Sequence, residues 1–496
     1  MNAVLSISQM IELEQRAFAE GVDAWSLMKK AGRQMAQAIQ LRFSEPGSCQ
    51  IFVGKGNNGG DAWVVASFLS AAGWWVEVTC PFTKDERSPL AQRAAEDWAL
   101  QPLKNNENNQ ARPFHHRQPR IVVDGLLGIG AKGEIRQPIS TMIQEINRLR
   151  NEGAVVFALD LPSGLGSETC VVADHTLTVG FVKDILLTDW ATHFVGRISV
   201  LALQELSDRF SHKTQEEVAT AESLRRLVPP RSFDIHKGQC GHVMLVAGSL
   251  DTVGAAALAS MGALRGGAGL VSLVCPPDAY PFLASMLAPE VMARPWIQPL
   301  KLGKEKMDVL AIGPGLDPKW NTETWTWLEA ARVPFVLDAG ALTIIANDLP
   351  RFKKLTGPIL LTPHPGEMER IFPAEGRTRA RWTMDFVSEF GNNQLTLLLK
   401  GSRTIIAQLG QPLIYNQTGH PGMATGGMGD TLTGVCAALI GQKLSTHQAA
   451  CVGAWVCGRA AEIAIEAGGQ SQESLLPTDL ANHLGQAFVE LRSGIY

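Results

Sequence analysis

A chain of 496 residues exceeds one ordinary core, so two or three domains are expected. Apolar residues make up 45% and charged residues 19%, the balance of a globular rather than a disordered chain. The formal net charge of −4 offers no basic surface for nucleic acid, the eight cysteines form no CxxC pair and so read as reduced cytosolic thiols, and neither a signal peptide nor a membrane span is visible.

Taken in order, Ser8 to Phe43 reads as two helices, with apolar residues at Met10, Ile11, Leu13, Ala17 and Phe18, then at Leu27, Met28, Ala31, Met35, Ala38 and Ile39. Strands and helices then alternate: strands at Gln50–Val53, Trp74–Cys80, Ile121–Asp124 and Val155–Asp160, with a helix over Ala62–Ala72. That alternation predicts a parallel sheet covered on both faces, with ligands beyond the carboxyl ends of its strands.

The stretches after those ends are unusual. GKGNNGGD follows Val53. Gly54, Gly56 and Gly59 match a dinucleotide-binding turn, with Glu77 near the distance of a ribose contact, but Asn57, Asn58 and Asp61 add polar side chains that such a turn does not need. DGLLGIGAKGE begins at Asp124, and DLPSG begins at Asp160. Asn58, Asp124 and Ser163 offer oxygen ligands suited to a hard cation. Asp124 and Asp160 are equally suited to capping loops through backbone N–H groups. The polar stretch from Gln204 to Ser232, with Pro229–Pro230, reads as a linker, the boundary lying near 210–225.

A second α/β pattern opens at HKGQCGHVMLVAGS. Strands are expected at His242–Ala247, Leu270–Val274, Asp308–Ile312, Pro334–Asp338 and Ile359–Leu361, then a hairpin of Leu395–Lys400 with Thr404–Gln408. Glycine turns or proline loops follow several of them: GPGL, DAGAL and TPHPGE. The run TGHPGMATGGMGDTLTGV leads into an apolar helix. Gly426, Gly427 and Gly429 let backbone N–H groups turn toward an anion, and the helix dipole points at the same place. Asp430 sits where a general base would stand, or where a plain N-cap would. No GxxxxGK[ST] run is present.

These motifs resemble those of the bifunctional NAD(P)H-hydrate repair enzymes. GNNGGD, VDGLLGIGAKGE and DLPSGL resemble the epimerase domain. HKGQCGHVMLVAGS, GPGL, LTPHPGE, LLKGSRT and NQTGHPGMATGGMGDTLTG resemble the dehydratase domain. The resemblance implies two three-layer α/β/α domains: a Rossmann-like epimerase over 1–210, a linker at 211–228 and a ribokinase-like dehydratase over 229–496. It implies that the first interconverts the R and S hydrates of NADH and NADPH. The second phosphorylates the S hydrate with ADP, which leaves as AMP, then eliminates phosphate to return NAD(P)H.

Residue by residue, it implies that Asn57, Asn58, Gly59, Gly60 and Asp61, with Gly128, Ile129, Gly130, Ala131, Lys132, Gly133 and Glu134, hold the hydrate in the first domain. Asn58, Asp124 and Ser163 would bind K+, and Asp160 would be the substrate contact and acid–base group. In the second domain Ala256, Gly315, His364 and Asp430 would contact the hydrate, with Asp430 as base. Lys400, Gly401, Ser402, Arg403, Thr404 and Gly429 would contact the nucleotide, with Mg2+ as its companion. A cytoplasmic homo-oligomer acting on small molecules, with no nucleic acid or membrane partner, is expected. The chain departs from the family pattern at Ala62, Lys29, Lys30, Asp317, Met428 and Gly340, the last in DAGAL where a second Asp is common, which counts against a metal there. A kinase of a small alcohol with a regulatory first half is the alternative, separated by whether a stable phosphoester or NAD(P)H is the product.

Overall fold

The computed structural model describes residues 2–43, 45–100, 120–131, 133–210, 214–296, 306–391 and 394–494. It divides into two compact units, Ala3–Thr214 and Gln215–Tyr496, the latter with the first two residues of the chain.

The first unit holds a six-stranded sheet in the order Trp75–Thr79, Ser48–Val53, Ile121–Gly125, Val155–Leu159, His175–Val179, Arg197–Leu201. All five pairings are parallel. Its central strands are apolar on both faces because helices cover both. On one face the helices Ala24–Gln40, Asn57–Ala71 and Pro89–Ala99 bury Trp25, Met35, Ile39, Val65, Leu69 and Ala94. On the other, Ile139–Asn151 buries Met142, Ile143 and Ile146 against Val122 and Val156. Each fully buried Val, Leu or Ile contributes about 1.5–3 kcal/mol. The two expected N-terminal helices are Ile7–Ala19 and Ala24–Gln40. Ser6 and Gln9 close a capping box on the first, and Asp23 caps the second.

The second unit contains a ten-strand run: Val291–Pro295, Leu270–Cys275, His242–Val246, Val309–Ile312, Phe335–Leu337, Ile359–Leu361, Leu395–Leu399, Ile405–Gln408, Leu413–Asn416, Glu216–Ala219. Only Ile405–Gln408 runs antiparallel to its neighbours, which makes the expected hairpin around Lys400–Thr404. The stretch expected as a linker holds a strand and a short helix. Glu216–Ala219 pairs with Leu413–Asn416, and Thr220 caps Ala221–Leu224. Its charged composition hid the buried positions Val218, Ala219, Ala221 and Leu224.

The helix Met428–Gly441 lies almost flush on Val253–Arg265. A Cβ on Gly434 would stand 2.0 Å from the Ala259 carbonyl oxygen, and one on Gly262 would stand 2.2 Å from that of Thr431. Glycine is the residue that permits such backbone approach. Among the described residues, no helix is long and apolar enough to cross a membrane.

Candidate active sites

In the first unit, GNNGGD is the first turn of a helix rather than a loop. Gly56 is the N-cap, no side chain caps the turn, and the helix starts at Asn57. The reason is packing: a Cβ on Gly59 would lie 2.0 Å from the Gly54 carbonyl oxygen, so the turn presses onto the strand end. Asn57 accepts a 3.0 Å hydrogen bond from the Ser88 hydroxyl. Gly60 is buried and Asp61 half-buried in the same turn.

The three oxygen donors Asn58, Asp124 and Ser163 come together. Asn58 Nδ2 donates to the Leu127 carbonyl (2.8 Å), and the Leu127 N–H donates to Ser163 Oγ (2.9 Å). Ser163 Oγ and N–H donate to the two oxygens of Asp124, at 2.6 and 2.8 Å. Burial pushes the Asp124 carboxyl up to about 6 against these hydrogen bonds. Asn58 Oδ1 is buried with no hydrogen-bond partner. A buried amide oxygen left without a donor costs free energy, and a cation would satisfy it.

Gly128 stands beside Asn58, 3.2 Å separating its would-be Cβ from the Asn58 Cβ. Ile129 packs against the apolar cluster that includes Met10 and Leu13 of the first helix, Gly130, Ala131, Gly133 and Glu134 are exposed, and Lys132 lies outside the described residues.

Asp160 follows strand Val155–Leu159 with φ +64°, a left-handed backbone uncommon outside glycine. Its Oδ1 accepts from Lys183 Nζ (2.5 Å), the Val179 N–H (3.1 Å) and Thr178 Oγ1 (3.3 Å). Lys183 is wholly buried and also donates to Thr178 Oγ1 and the Val179 carbonyl. Asp160 Oδ2 is left uncommitted among the described residues. Two more carboxyls feel this pair. Burial first, then the charge of Asp160, lifts Glu14 to about 7 against the pull of Lys183. Asp61 is lifted well above the carboxylate range by burial, Asp160 and Glu14. With Glu14 and Asp61 both raised beside the Asp160–Lys183 pair, full ionisation of the cluster is disfavoured. Sequence reasoning missed both Glu14 and Lys183. Glu14 reads as an ordinary polar position on an amphipathic helix, and Lys183 lies in no glycine-rich turn.

In the second unit, Asp430 lies in the first turn of Met428–Gly441, whose N-cap Gly427 has φ +95°. Among the described residues its carboxylate accepts no hydrogen bond. Burial first, then the charge of Asp338, raises it to about 6; Lys400 opposes and Glu367 adds. Lys400 Nζ stands 2.9 Å from Asp338 Oδ1 and 3.7 Å from Glu367 Oε2. Burial lowers its affinity for the proton, but Asp338, Glu367 and Asp430 together outweigh that and raise it. The ammonium expected on a nucleotide thus stands among carboxylates, and 3.1 Å from a would-be Cβ on Gly429.

The turn after it is braced by Arg379, whose Nη2 donates to the Leu399 and Lys400 carbonyls at 3.3 and 3.2 Å. Gly401 and Ser402 are exposed, Arg403 is buried, and Thr404 Oγ1 bonds back to the Gly401 carbonyl at 3.3 Å. His364 caps Pro365–Ile371: its Nδ1 accepts from the Gly366 and Glu367 N–H groups, and its own N–H donates to Glu367 Oε2 at 2.8 Å. Its Nε2 lies 3.6 Å from Glu367 Oε2, and the ring is half exposed. Gly315, at φ +63°, accepts from Thr252 Oγ1 at 2.6 Å, while Ala256 has no exposed surface and lies against Gly248.

Comparison with known proteins follows this division. Residues 243–485 match a family described as NAD(P)H-hydrate dehydratase, and residues 24–185 match the YjeF-related protein N-terminus. A relative in Coxiella burnetii, a bifunctional NAD(P)H-hydrate repair enzyme Nnr, is 32% identical over 98% of this chain and 99% of its own. A solved ribokinase-like superfamily protein from Enterococcus faecalis covers 57% of this chain and 98% of its own at 24% identity and a TM-score of 0.50, a likeness of fold alone. An ADP/ATP-dependent NAD(P)H-hydrate dehydratase from Bacillus subtilis, co-crystallised with ATP and Mg2+, covers 55% of this chain and 97% of its own at 30% identity and a TM-score of 0.48.

Proposed function

We propose a scheme from one premise: the chain belongs to the family of bifunctional NAD(P)H-hydrate repair enzymes. It is an isomerase and a lyase in one chain, acting on hydrated NAD(P)H with a nucleotide. The observation that supports this reading is that each unit builds its own acid–base centre, Asp160 with Lys183 and Asp430 beside Lys400. We assign the epimerase to 1–210 and the dehydratase to 229–496; the stretch between them lends Glu216–Ala219 to the second sheet.

In the epimerase, Asp160 exchanges a proton with the hydrate. Lys183 fixes its orientation, and Glu14 and Asp61 retain protons so that the cluster does not carry three negative charges. Asn57–Asp61 and Gly128–Glu134 would flank the hydrate. K+ fits the donor set of Asn58, Asp124 and Ser163, since it would satisfy the orphaned Asn58 Oδ1. Bound there, it would tie together the ends of three loops.

In the dehydratase, Asp430 accepts the proton of the S hydrate's hydroxyl. The oxygen then bonds to the terminal phosphorus of ADP, and the bridging P–O bond breaks to release AMP. Departure of phosphate with a ring proton restores NAD(P)H, because phosphate leaves far more readily than hydroxide. N–H groups of Gly427–Gly429, uncapped by any side chain, would face the phosphates. Since Lys400 is committed to carboxylates, the backbone of 400–404 and the hydroxyls of Ser402 and Thr404 would carry the nucleotide contacts. Ala256, Gly315 and His364 would border the hydrate. Mg2+ would enter with the nucleotide's phosphates and neutralise them; the described residues hold no group of three or more His, Cys, Asp or Glu that could hold it alone. A homo-oligomer in the cytoplasm completes the proposal, the latter in keeping with eight unpaired cysteines.

The test gives purified protein R and S hydrates with ADP and Mg2+ and follows reduced-nicotinamide absorbance. Full conversion is expected, and Asp430→Asn should abolish it. No recovery with ADP or ATP, or accumulation of a stable phosphoester, would sink the reading.

A further inference from the structure

Asp338 has no role in the scheme above. It follows strand Phe335–Leu337 in DAGAL, the loop that Gly340 made a poor candidate for a metal. Its side chain is only 2% exposed. A carboxylate this deep is costly unless both oxygens are engaged. Both are: Oδ1 accepts from Lys400 Nζ at 2.9 Å, and Oδ2 from Thr433 Oγ1 at 2.7 Å.

Those partners come from separate parts of the fold. Lys400 follows strand Leu395–Leu399, while Thr433 lies on the helix Met428–Gly441 three residues beyond Asp430, one turn on along the same face. One carboxylate therefore spans from a strand end to the helix that carries the base. Although Asp338 sits at the N-cap position of Ala339–Ala346, it makes no cap hydrogen bond there, so capping does not account for it.

We propose that Asp338 is the positioning residue of the dehydratase site, holding the Lys400 ammonium and the Asp430 turn in one fixed register. This rests on the reading of Asp430 as the base. Positioning to within about an ångström is worth roughly 100-fold in rate. Asp338 also acts through its charge. The ionisable groups that bear on Asp430 are Asp338, Lys400 and Glu367, the last bonded to His364. The helix Val253–Arg265, packed along the base's own helix, offers no ionisable side chain before its last residue, Arg265.

The test is the pH profile of dehydration kcat/KM, measured on the full chain with S hydrate, ADP and Mg2+. For Asp338→Asn, kcat should fall about 10- to 100-fold with KM for ADP changed less. The acid limb should move to lower pH, since a charge that disfavours ionised Asp430 is gone. For Lys400→Met the limb should move the opposite way. Thr433→Val keeps the charge and cuts one hydrogen bond, so kcat should fall several-fold with the limb in place. This variant also carries the test if Asp338→Asn does not fold. Unchanged kcat in Thr433→Val overturns the proposal, as does an unmoved limb in a folded Asp338→Asn protein. Asp430→Asn separates the two claims. If it is dead while Asp338→Asn and Thr433→Val behave as wild type, only the role of Asp338 fails. If it stays active, the base assignment fails first.

Discussion

At the residue scale, the two carboxylates assigned to chemistry differ in how they are held. Asp160 is fixed on one oxygen by three donors, whereas Asp430 is fixed only through its neighbours. Replacing Asp160 by Ala should leave dehydration of the S hydrate intact and stop turnover once that form is spent, apart from slow spontaneous epimerisation. Absorbance recovery from a mixture of both hydrates reads this directly, and recovery past the S fraction at the normal rate would refute the assignment. Lys183→Met should stop turnover at the same point, because it leaves the Asp160 charge uncompensated. Asp160 drew notice because it ends the apolar strand Val155–Leu159, and Asp430 because it closes a glycine-rich run that leads into an apolar helix. Lys183 and Glu14 were not. They reach the site from 23 residues downstream and from a separate N-terminal helix, and only the folded chain brings them together.

At the element scale, close approach of backbone explains where the sequence misleads. GNNGGD looks like a flexible loop because glycines and asparagines break most helices. It is helical because Gly59 must pass the Gly54 carbonyl, and the tertiary contact outweighs propensity. The same logic sets the helix pair in the second unit. Gly434→Ala places a methyl on the Ala259 carbonyl and should destabilise the protein by about 1–3 kcal/mol. Gly485→Ala, exposed in the interior of Pro477–Ser493 with no atom near its would-be Cβ, should stabilise by roughly 0.5–1 kcal/mol. Urea midpoints compare the two, and equal shifts would contradict the packing argument. The strand at Glu216–Ala219 escaped notice for another reason: four residues with two glutamates carry too little periodicity to stand out from a polar stretch.

At the scale of the whole molecule, stability and activity pull in opposite directions with pH. Glu14 and Asp430 titrate near 7 and 6 in the folded chain, well above their unfolded range. A carboxyl raised in this way adds stability that is fully present below its unfolded value and is lost as pH rises through the folded one. With Asp430 as the proposed base, the dehydration rate should fall as pH drops through about 6. The thermal midpoint should instead decline from about pH 4 to about pH 7. Glu14→Gln should lessen that decline, and a decline of unaltered size would remove Glu14 from the account.

Asp338, Glu367 and Asp430 gather around the single ammonium of Lys400. The carboxylates outnumber that ammonium, and a nucleotide placed here as proposed would bring more negative charge. Entry would then be an exchange of ions, the added phosphate charge being offset by a metal cation or by a proton drawn from solvent. With the nucleotide seated here as proposed, its affinity should rise with the supply of divalent cations, and release of product should return those ions to solution.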